Sequence, residues 1–212
     1  MRSNKELVDY LATGGWIATR RVEDAFLAVD RKLFMPKGAE SSAYYDTPLP
    51  IGYGQTISAP SVVAFMLEKL DVPAGAKVLE LGAGSGYNTA LLSFLAGKKG
   101  KIISVDIVPE LVEFAKMNFE KWGEYGNAEF IAGDGSCGHE AEAPYDRVMV
   151  TASMPYIEGH PLVKQLKPDG KLMAPVGSRL YQDLILYSKG KYEKVLPVMF
   201  VPLLGKCGFK KD

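Results

Sequence analysis

Apolar positions along the chain change their period once, near residue 77. Before it they recur three and four apart. Leu7 and Leu11, then Val22, Ala25, Phe26 and Val29, predict two amphipathic helices over 6–12 and 22–29, divided by Gly14-Gly15. Residues 32–55 are rich in Pro, Gly and Tyr and hold no period, which predicts loop. A further helix runs to about Leu70; Ser58 or Ser61 is its expected cap, and Pro60 sits in the first turn, where a missing N–H matters least. Beyond Lys77, short apolar runs at 77–81, 101–105, 128–131, 146–151 and 171–175 predict strands. Helical stretches at 87–96, 109–122 and 158–166 separate them. Such alternation predicts a mostly parallel sheet covered on both faces, an α/β Rossmann-like fold. Ile185-Leu186-Tyr187 and Val195–Val201, around a Lys-Gly-Lys turn, predict an antiparallel C-terminal edge. The expected organisation is one compact unit, with an N-terminal helical extension over 1–70 on a core over 71–212.

The first strand breaks into Leu79-Glu80-Leu81-Gly82-Ala83-Gly84-Ser85-Gly86. Glycines there permit backbone conformations that a side chain forbids and let a ligand approach the main chain. The next strand ends at Asp106, followed by Ile107. An acidic residue at that strand tip accepts hydrogen bonds from ribose hydroxyls. A dinucleotide fingerprint reads G-x-G-x-x-G, with pyrophosphate at the helix N-terminus. Here the order is G-x-G-x-G, and Glu80 would repel a pyrophosphate. It suits a ligand carrying an amine and a sulfonium, so S-adenosyl-L-methionine is expected in preference to NAD. Right-handed crossovers place ligands at the carboxyl ends of parallel strands, where Gly82–Gly86, Asp106 and Gly133-Asp134-Gly135 all fall.

Composition narrows the partners. The 212 residues carry 25 Lys+Arg and 25 Asp+Glu, so no basic surplus points to nucleic acid. Cys137 and Cys207 lack metal-ligand spacing and make no disulfide framework, and two histidines are too few for a metal site; no metal is expected. No apolar run approaches the roughly 20 residues of a membrane span, and the N-terminus lacks a signal-peptide core. A cytoplasmic monomer without membrane contact is expected.

Several segments together carry a resemblance. They are Val22–Arg31 (VEDAFLAVDR), Asp46–Pro60 (DTPLPIGYGQTISAP), Leu79–Gly86, Gly133–Gly135, Ala143–Asp146, Leu166–Leu172, Pro175–Gly177 and Val201-Pro202-Leu203. From about Leu7 to Phe209 the chain resembles the protein L-isoaspartate (D-aspartate) O-methyltransferase family. The glycine turn is shared by many methyltransferases; the GQTISAP segment is far more specific. The resemblance implies a class I S-adenosylmethionine-dependent methyltransferase. It would act on the α-carboxylate of L-isoaspartyl residues in damaged proteins and peptides, and on the β-carboxylate of D-aspartyl ones. The ester then closes to a succinimide, starting repair, and S-adenosyl-L-homocysteine is the product. Two other readings stand beside it: a related carboxylate O-methyltransferase for a specific peptide, and a non-catalytic cofactor-binding adaptor.

Roles follow on the matched positions. The resemblance makes Ser58 the catalytic residue, orienting the substrate carboxylate; its plainer role is a helix cap. Gln55, Thr56 and Ile57 would lie against the cofactor through their backbone, as would Gly82, Gly84 and Gly86. Asp106 and Ile107 would hold the ribose, unless Asp106 merely caps the helix at Pro109. Asp134 would accept from the adenine amine and Gly135 make room for the ring, unless they form only a turn. Glu80 would face the methionine amine through a water, or stand in solvent. Val201, Pro202 and Leu203 would offer a strand edge to the peptide, or pack in the core. Trp16 and Trp122 are expected to pack helices. His160 is expected on a helix surface, and Lys98-Lys99 and Lys210-Lys211 in solvent. The family often has a ring after Ser-Ala-Pro; here Ser61 replaces it, altering the pocket wall without removing a group the chemistry needs. That chemistry is light: a carboxylate is ionised at neutral pH, so no general base is required.

Overall fold

The computed structural model describes residues 1–210. Its chain opens with α1 (Asn4–Thr13) and α2 (Arg20–Ala28), each capped by a hydroxyl at the residue before it, Ser3 and Thr19. Their apolar stripes bury Leu7, Val8 and Leu11, then Val22, Ala25 and Phe26. The expected loop over 32–55 is more ordered than its composition suggests. A 3₁₀ turn covers Arg31–Phe34, and β1 (Leu49–Gly52) pairs antiparallel with β2 (Gln55–Ile57). This hairpin escapes a period reading because Pro50, Gly52 and Gly54 interrupt it, leaving only Ile51 and Ile57 buried in the two strands. Helix α3 (Pro60–Leu70) follows. Neither serine caps it: the cap position is Ala59, without a side-chain bond. The Ser61 N–H instead donates to Asp46 Oδ1 at 2.9 Å.

The core sheet holds β3 (Lys77–Leu81), β4 (Lys101–Asp106), β5 (Ala128–Ala132), β6 (Tyr145–Val150), β7 (Leu166–Gly177), β8 (Gln182–Ser188) and β9 (Lys191–Val198), in the order β5-β4-β3-β6-β7-β8-β9. The pairs from β5 through β7 are parallel; β7–β8 and β8–β9 are antiparallel. The fold is therefore the expected α/β arrangement with an antiparallel edge. Connectivity reverses between β3 and β6, so the crevice outside their carboxyl ends is the place where such sheets take ligands.

Helix α4 (Tyr87–Ala96) is buried at nine of its ten positions. A helix so apolar on all sides needs cover on all sides. One side meets the sheet; the other meets the N-terminal region, where Phe26 and Phe34 pack on the Tyr87 ring at 6.2 and 5.6 Å. Helix α5 (Pro109–Trp122) ends near them, and Trp122 Nε1 donates to the Ala28 carbonyl. Trp16 packs edge-on against Phe65. Both tryptophans pack as expected.

Three expectations are corrected in the last third. Helix α6 is short (Pro161–Lys164), and His160 before it is fully buried rather than on the surface. Its Nδ1 accepts the Leu162 N–H and its Nε2 meets the Cys207 carbonyl at 3.3 Å. Strand β9 ends at Val198, not Val201. The following segment turns back onto Ser153, which donates to the Val201 carbonyl and accepts from the Leu203 N–H, both at 2.8 Å. Finally, Cys137 and Cys207 form a disulfide across 70 residues of sequence. Pairing cysteines so far apart requires a tertiary fold that the spacing does not reveal. Lys98 and Lys99 are exposed as expected; Lys211 lies outside the described residues. Among the described residues no helix is long and apolar enough to cross a membrane, and no group of His, Cys, Asp and Glu is arranged to hold a metal.

Candidate functional site

Three cavities adjoin at the crevice outside β3 and β6. The first, about 600 Å³, is walled by Leu81, Val105, Asp106, Ile107, Gly135 and Leu203. The second, about 420 Å³, runs inward past Ile57, Ser58, Gly82, Tyr87 and Asn88. The third, about 520 Å³, is an apolar groove between Pro48, Val62 and the segment Pro197–Val201. Thr56 and Thr151 line all three, and Ser58 lines the second and third.

The glycine turn is tight for a packing reason. Gly82 has φ 97°, and a side chain there would run into the Thr151 hydroxyl. That hydroxyl lies 2.7 Å from the Gly82 carbonyl and 3.0 Å from that of Leu81, within donating reach of either. Thr151 thus fastens the end of β6 to the turn after β3. Gly84 donates its N–H to Asp106 Oδ2 at 3.0 Å, and Val108 donates to Oδ1 at 3.0 Å. Burial raises the Asp106 carboxyl above its usual range, against the stabilising backbone donors Gly84, Val108 and Ile107. The Gly84 and Val108 bonds leave carboxylate lone pairs for a ligand in the first cavity. It caps no helix: the position before α5 is Val108.

The expected residues divide cleanly. Gln55, Thr56, Gly82, Gly84, Asp106, Ile107 and Gly135 wall the first cavity; Ile57 and Ser58 reach the second. Gly86 lines none of the three. It sits before α4 with a would-be side chain pressed on the Ala115 backbone, so its role is packing. Glu80 is also corrected. It is completely buried, taking hydrogen bonds from Asn88 Nδ2 (2.8 Å), Thr89 Oγ1 and Ser104 Oγ (2.6 Å). Burial pushes its carboxyl up to about 7 despite these donors. Strand alternation turned it into the layer under α4, away from the cavities. Gly135 is small because a side chain would strike Leu81 and Val105, the strands beneath it, rather than the cavity itself.

Asp134 stands beside the first cavity rather than in its wall. Its two oxygens accept N–H groups of Ser136 and Lys206, both at 2.9 Å. Burial works to raise its carboxyl, but the Ser136 and Lys206 donors hold it below its usual range. The Cys137–Cys207 disulfide clamps this contact, fixing the C-terminal segment over the Asp134 loop. Val201 lines the first cavity and the groove, whereas Pro202 and Leu203 wall only the first. The Val201–Leu203 segment pairs with Ser153 instead of extending β9.

Two residues were not expected. Thr151 sits one place past β6, and only the sheet order shows that this end faces Gly82. Arg31 is fully buried, donating to the carbonyls of Ser58 (2.7 Å) and Thr47 (3.3 Å), with its guanidinium 5.4 Å from the Tyr87 ring centre. Burial lowers its pKa to about 10, so it stays charged at neutral pH. It ties the hairpin and Ser58 to α4.

The donor set fits an adenosyl ligand: a carboxylate with free lone pairs between apolar walls, and an inner cavity with unpartnered polar atoms. Replacing Asp106 with alanine should weaken S-adenosylhomocysteine binding by about 1.5–3 kcal/mol, the range for hydrogen bonds to a charged group. Calorimetry showing unchanged affinity would remove Asp106 from this role.

Comparison with known proteins agrees. The family model for protein-L-isoaspartate(D-aspartate) O-methyltransferase matches residues 2–208. A protein-L-isoaspartate O-methyltransferase of Hyperthermus butylicus is 44% identical over 221 residues, covering 99% of this chain and 91% of its own. Protein-L-isoaspartate O-methyltransferase 2 of Archaeoglobus fulgidus is 49% identical over 197 residues, covering 91% and 89%. A crystal structure described as a putative protein-L-isoaspartate O-methyltransferase from Plasmodium falciparum, in complex with S-adenosyl-L-homocysteine, superposes with a TM-score of 0.85 at 27% identity, over 96% of this chain and 99% of that one.

Proposed function

Because the chain belongs to the protein-L-isoaspartate (D-aspartate) O-methyltransferase family, we propose that its three cavities serve one methyl transfer, with S-adenosylmethionine in the first two and an isoaspartyl peptide in the third. The chain is an S-adenosylmethionine-dependent carboxyl methyltransferase that initiates repair of isoaspartyl proteins. The carrying observation is that all three cavities meet at Thr56 and Thr151, with Ser58 beside them.

When bound, S-adenosylmethionine supplies an electrophilic methyl on a positively charged sulfur. The protein's task is alignment and exclusion of water. Such fixing of reactants can contribute about 7–11 kcal/mol. Asp106 and the walls Leu81, Val105 and Ile107 hold the nucleoside end. Asp134 and Gly135 stand at the adenine end. The Ser58 hydroxyl makes no hydrogen bond among the described residues and donates to the peptide carboxylate. The groove offers exposed apolar surface, Met199 above all at 74% exposure, which grips peptide backbone without demanding one flanking sequence. Residues 1–70 contribute Arg31, the hairpin and Ser58, and so act as the substrate-side extension of the core over 71–212. The balanced charge favours protein over nucleic acid as partner.

No wall residue acts as a base. The titratable side chains lining the cavities are Asp106 and Tyr87. Burial drives the Tyr87 phenol upward, away from neutrality, and Asp106 is taken up at the nucleoside end. Glu80, pushed up to about 7, lines no cavity. At saturating cofactor, kcat should be level from pH 6 to 8 and should fall only as the substrate carboxylate protonates, below about pH 5. A bell centred between pH 6 and 7 would contradict this if product release and stability are flat there. The activity itself is tested by transfer of labelled methyl to matched peptides. Isoaspartyl peptide should be labelled and its aspartyl twin not; equal labelling would favour a different carboxylate substrate.

A further inference from the structure

The inner cavity carries two side chains with buried polar atoms that nothing satisfies, Asn88 Oδ1 and Tyr87 Oη. Asn88 is 9% exposed and Tyr87 1%. The Asn88 carboxamide is not free to choose its orientation. Its Nδ2 donates to Glu80 Oε1 at 2.8 Å and meets Met149 Sδ at 3.3 Å. Glu80 is itself fixed by Thr89 and Ser104. With the donor end committed to a carboxylate, only the acceptor end is left over. A buried carbonyl oxygen without a donor is unfavourable, and a cationic N–H is its best partner.

We infer that Asn88 Oδ1 accepts a hydrogen bond from the α-ammonium of the bound cofactor, and that Glu80 is the positioning residue that keeps this oxygen turned to the ligand. This rests on the cofactor reading above. The nucleoside end is held in the first cavity by Asp106, so the aminocarboxypropyl end falls in the second. An amide oxygen repels the carboxylate of that group and attracts its ammonium. The Glu80 carboxylate thus acts on the ligand through one amide, rather than through a water as the sequence suggests.

Calorimetric titration with two ligands separates the possibilities. S-adenosylhomocysteine carries the amine; 5′-methylthioadenosine keeps the nucleoside and lacks it. Asn88→Leu should weaken S-adenosylhomocysteine roughly 10- to 100-fold, as for loss of a hydrogen bond to a charged group. Binding of 5′-methylthioadenosine should stay within about twofold, the change expected when no contact is lost. Glu80→Gln presents an amide N–H₂ to Asn88 and lets its carboxamide turn over, directing N–H at the ammonium. It should weaken S-adenosylhomocysteine alone, and the double variant should be no worse than Asn88→Leu. Should Asn88→Leu fail to fold by thermal melting, Glu80→Gln carries the test with the same two ligands. Equal weakening of both ligands, no weakening of either, or additive effects in the double variant would overturn the assignment. Failure of the unmodified protein to bind S-adenosylhomocysteine would overturn the cofactor reading beneath it, which is a distinguishable result.

Discussion

Replacing Arg31 with alanine should lower the unfolding free energy by about 3–5 kcal/mol, the range for emptying a large buried site. Two terms act in this direction. The carbonyls of Ser58 and Thr47 lose their donor, and a buried unpaired carbonyl costs about 1–3 kcal/mol. The removed side chain, fully buried over Tyr87, also leaves a void that the α4 packing cannot close. One term opposes them: a desolvated guanidinium no longer has to be buried. Urea unfolding measures the balance, and a loss under about 1 kcal/mol would show that the desolvation term offsets the rest. Arg31→Lys should recover part of the loss, since an ammonium reaches one carbonyl but lacks the fork that spans two. At temperatures where the variant remains folded, methyl transfer should also fall. Ser58 loses the bond that fixes its backbone to the core.

Ser58→Ala should slow methyl transfer roughly 10- to 150-fold, equivalent to about 1.5–3 kcal/mol for a hydrogen bond to a carboxylate. Asp106 and the walls of the first cavity are untouched, so S-adenosylhomocysteine affinity should hardly change. The Ser58 hydroxyl does not cap α3, whose cap position is Ala59, so a lost helix cap does not account for such a fall. Ser58→Thr should be partly tolerated, since the hydroxyl survives. A serine that took the methyl covalently would make both changes nearly fatal and would transfer a chiral methyl with retention. Direct transfer to the carboxylate inverts. Retention, or a methylated Ser58 found by mass spectrometry during turnover, would sink the orienting role.

The sequence by itself determined the strand and helix succession, because burial on both faces of a parallel sheet writes continuous apolar runs such as Ile102-Ile103 between amphipathic helices. It put the glycine turn and Asp106 at one end of the sheet, since both sit at strand tips and strand tips are countable from the pattern; Gly82, Gly84 and Asp106 line one cavity there. It also determined the Gln55–Ser58 segment, through residues distinctive enough to carry a resemblance. What it left undecided were side-chain directions and contacts distant along the chain. Glu80 and Asp106 are both acids at strand ends, yet one faces α4 and the other the cavity. Register decides this: Glu80 lies level with Ser104 inside the sheet, whereas Asp106 lies two residues further on, past the end of β3, and composition does not report that depth. His160 reads as a surface residue because polar types usually are, and nothing local in the sequence singles out Arg31. Partners 47 and 27 residues away along the chain, at Cys207 and Ser58, bury them. The pairing of Cys137 with Cys207, and the place of Thr151 opposite Gly82, depend on sheet order. Strand order is set by packing among elements far apart along the chain, and no local pattern encodes it.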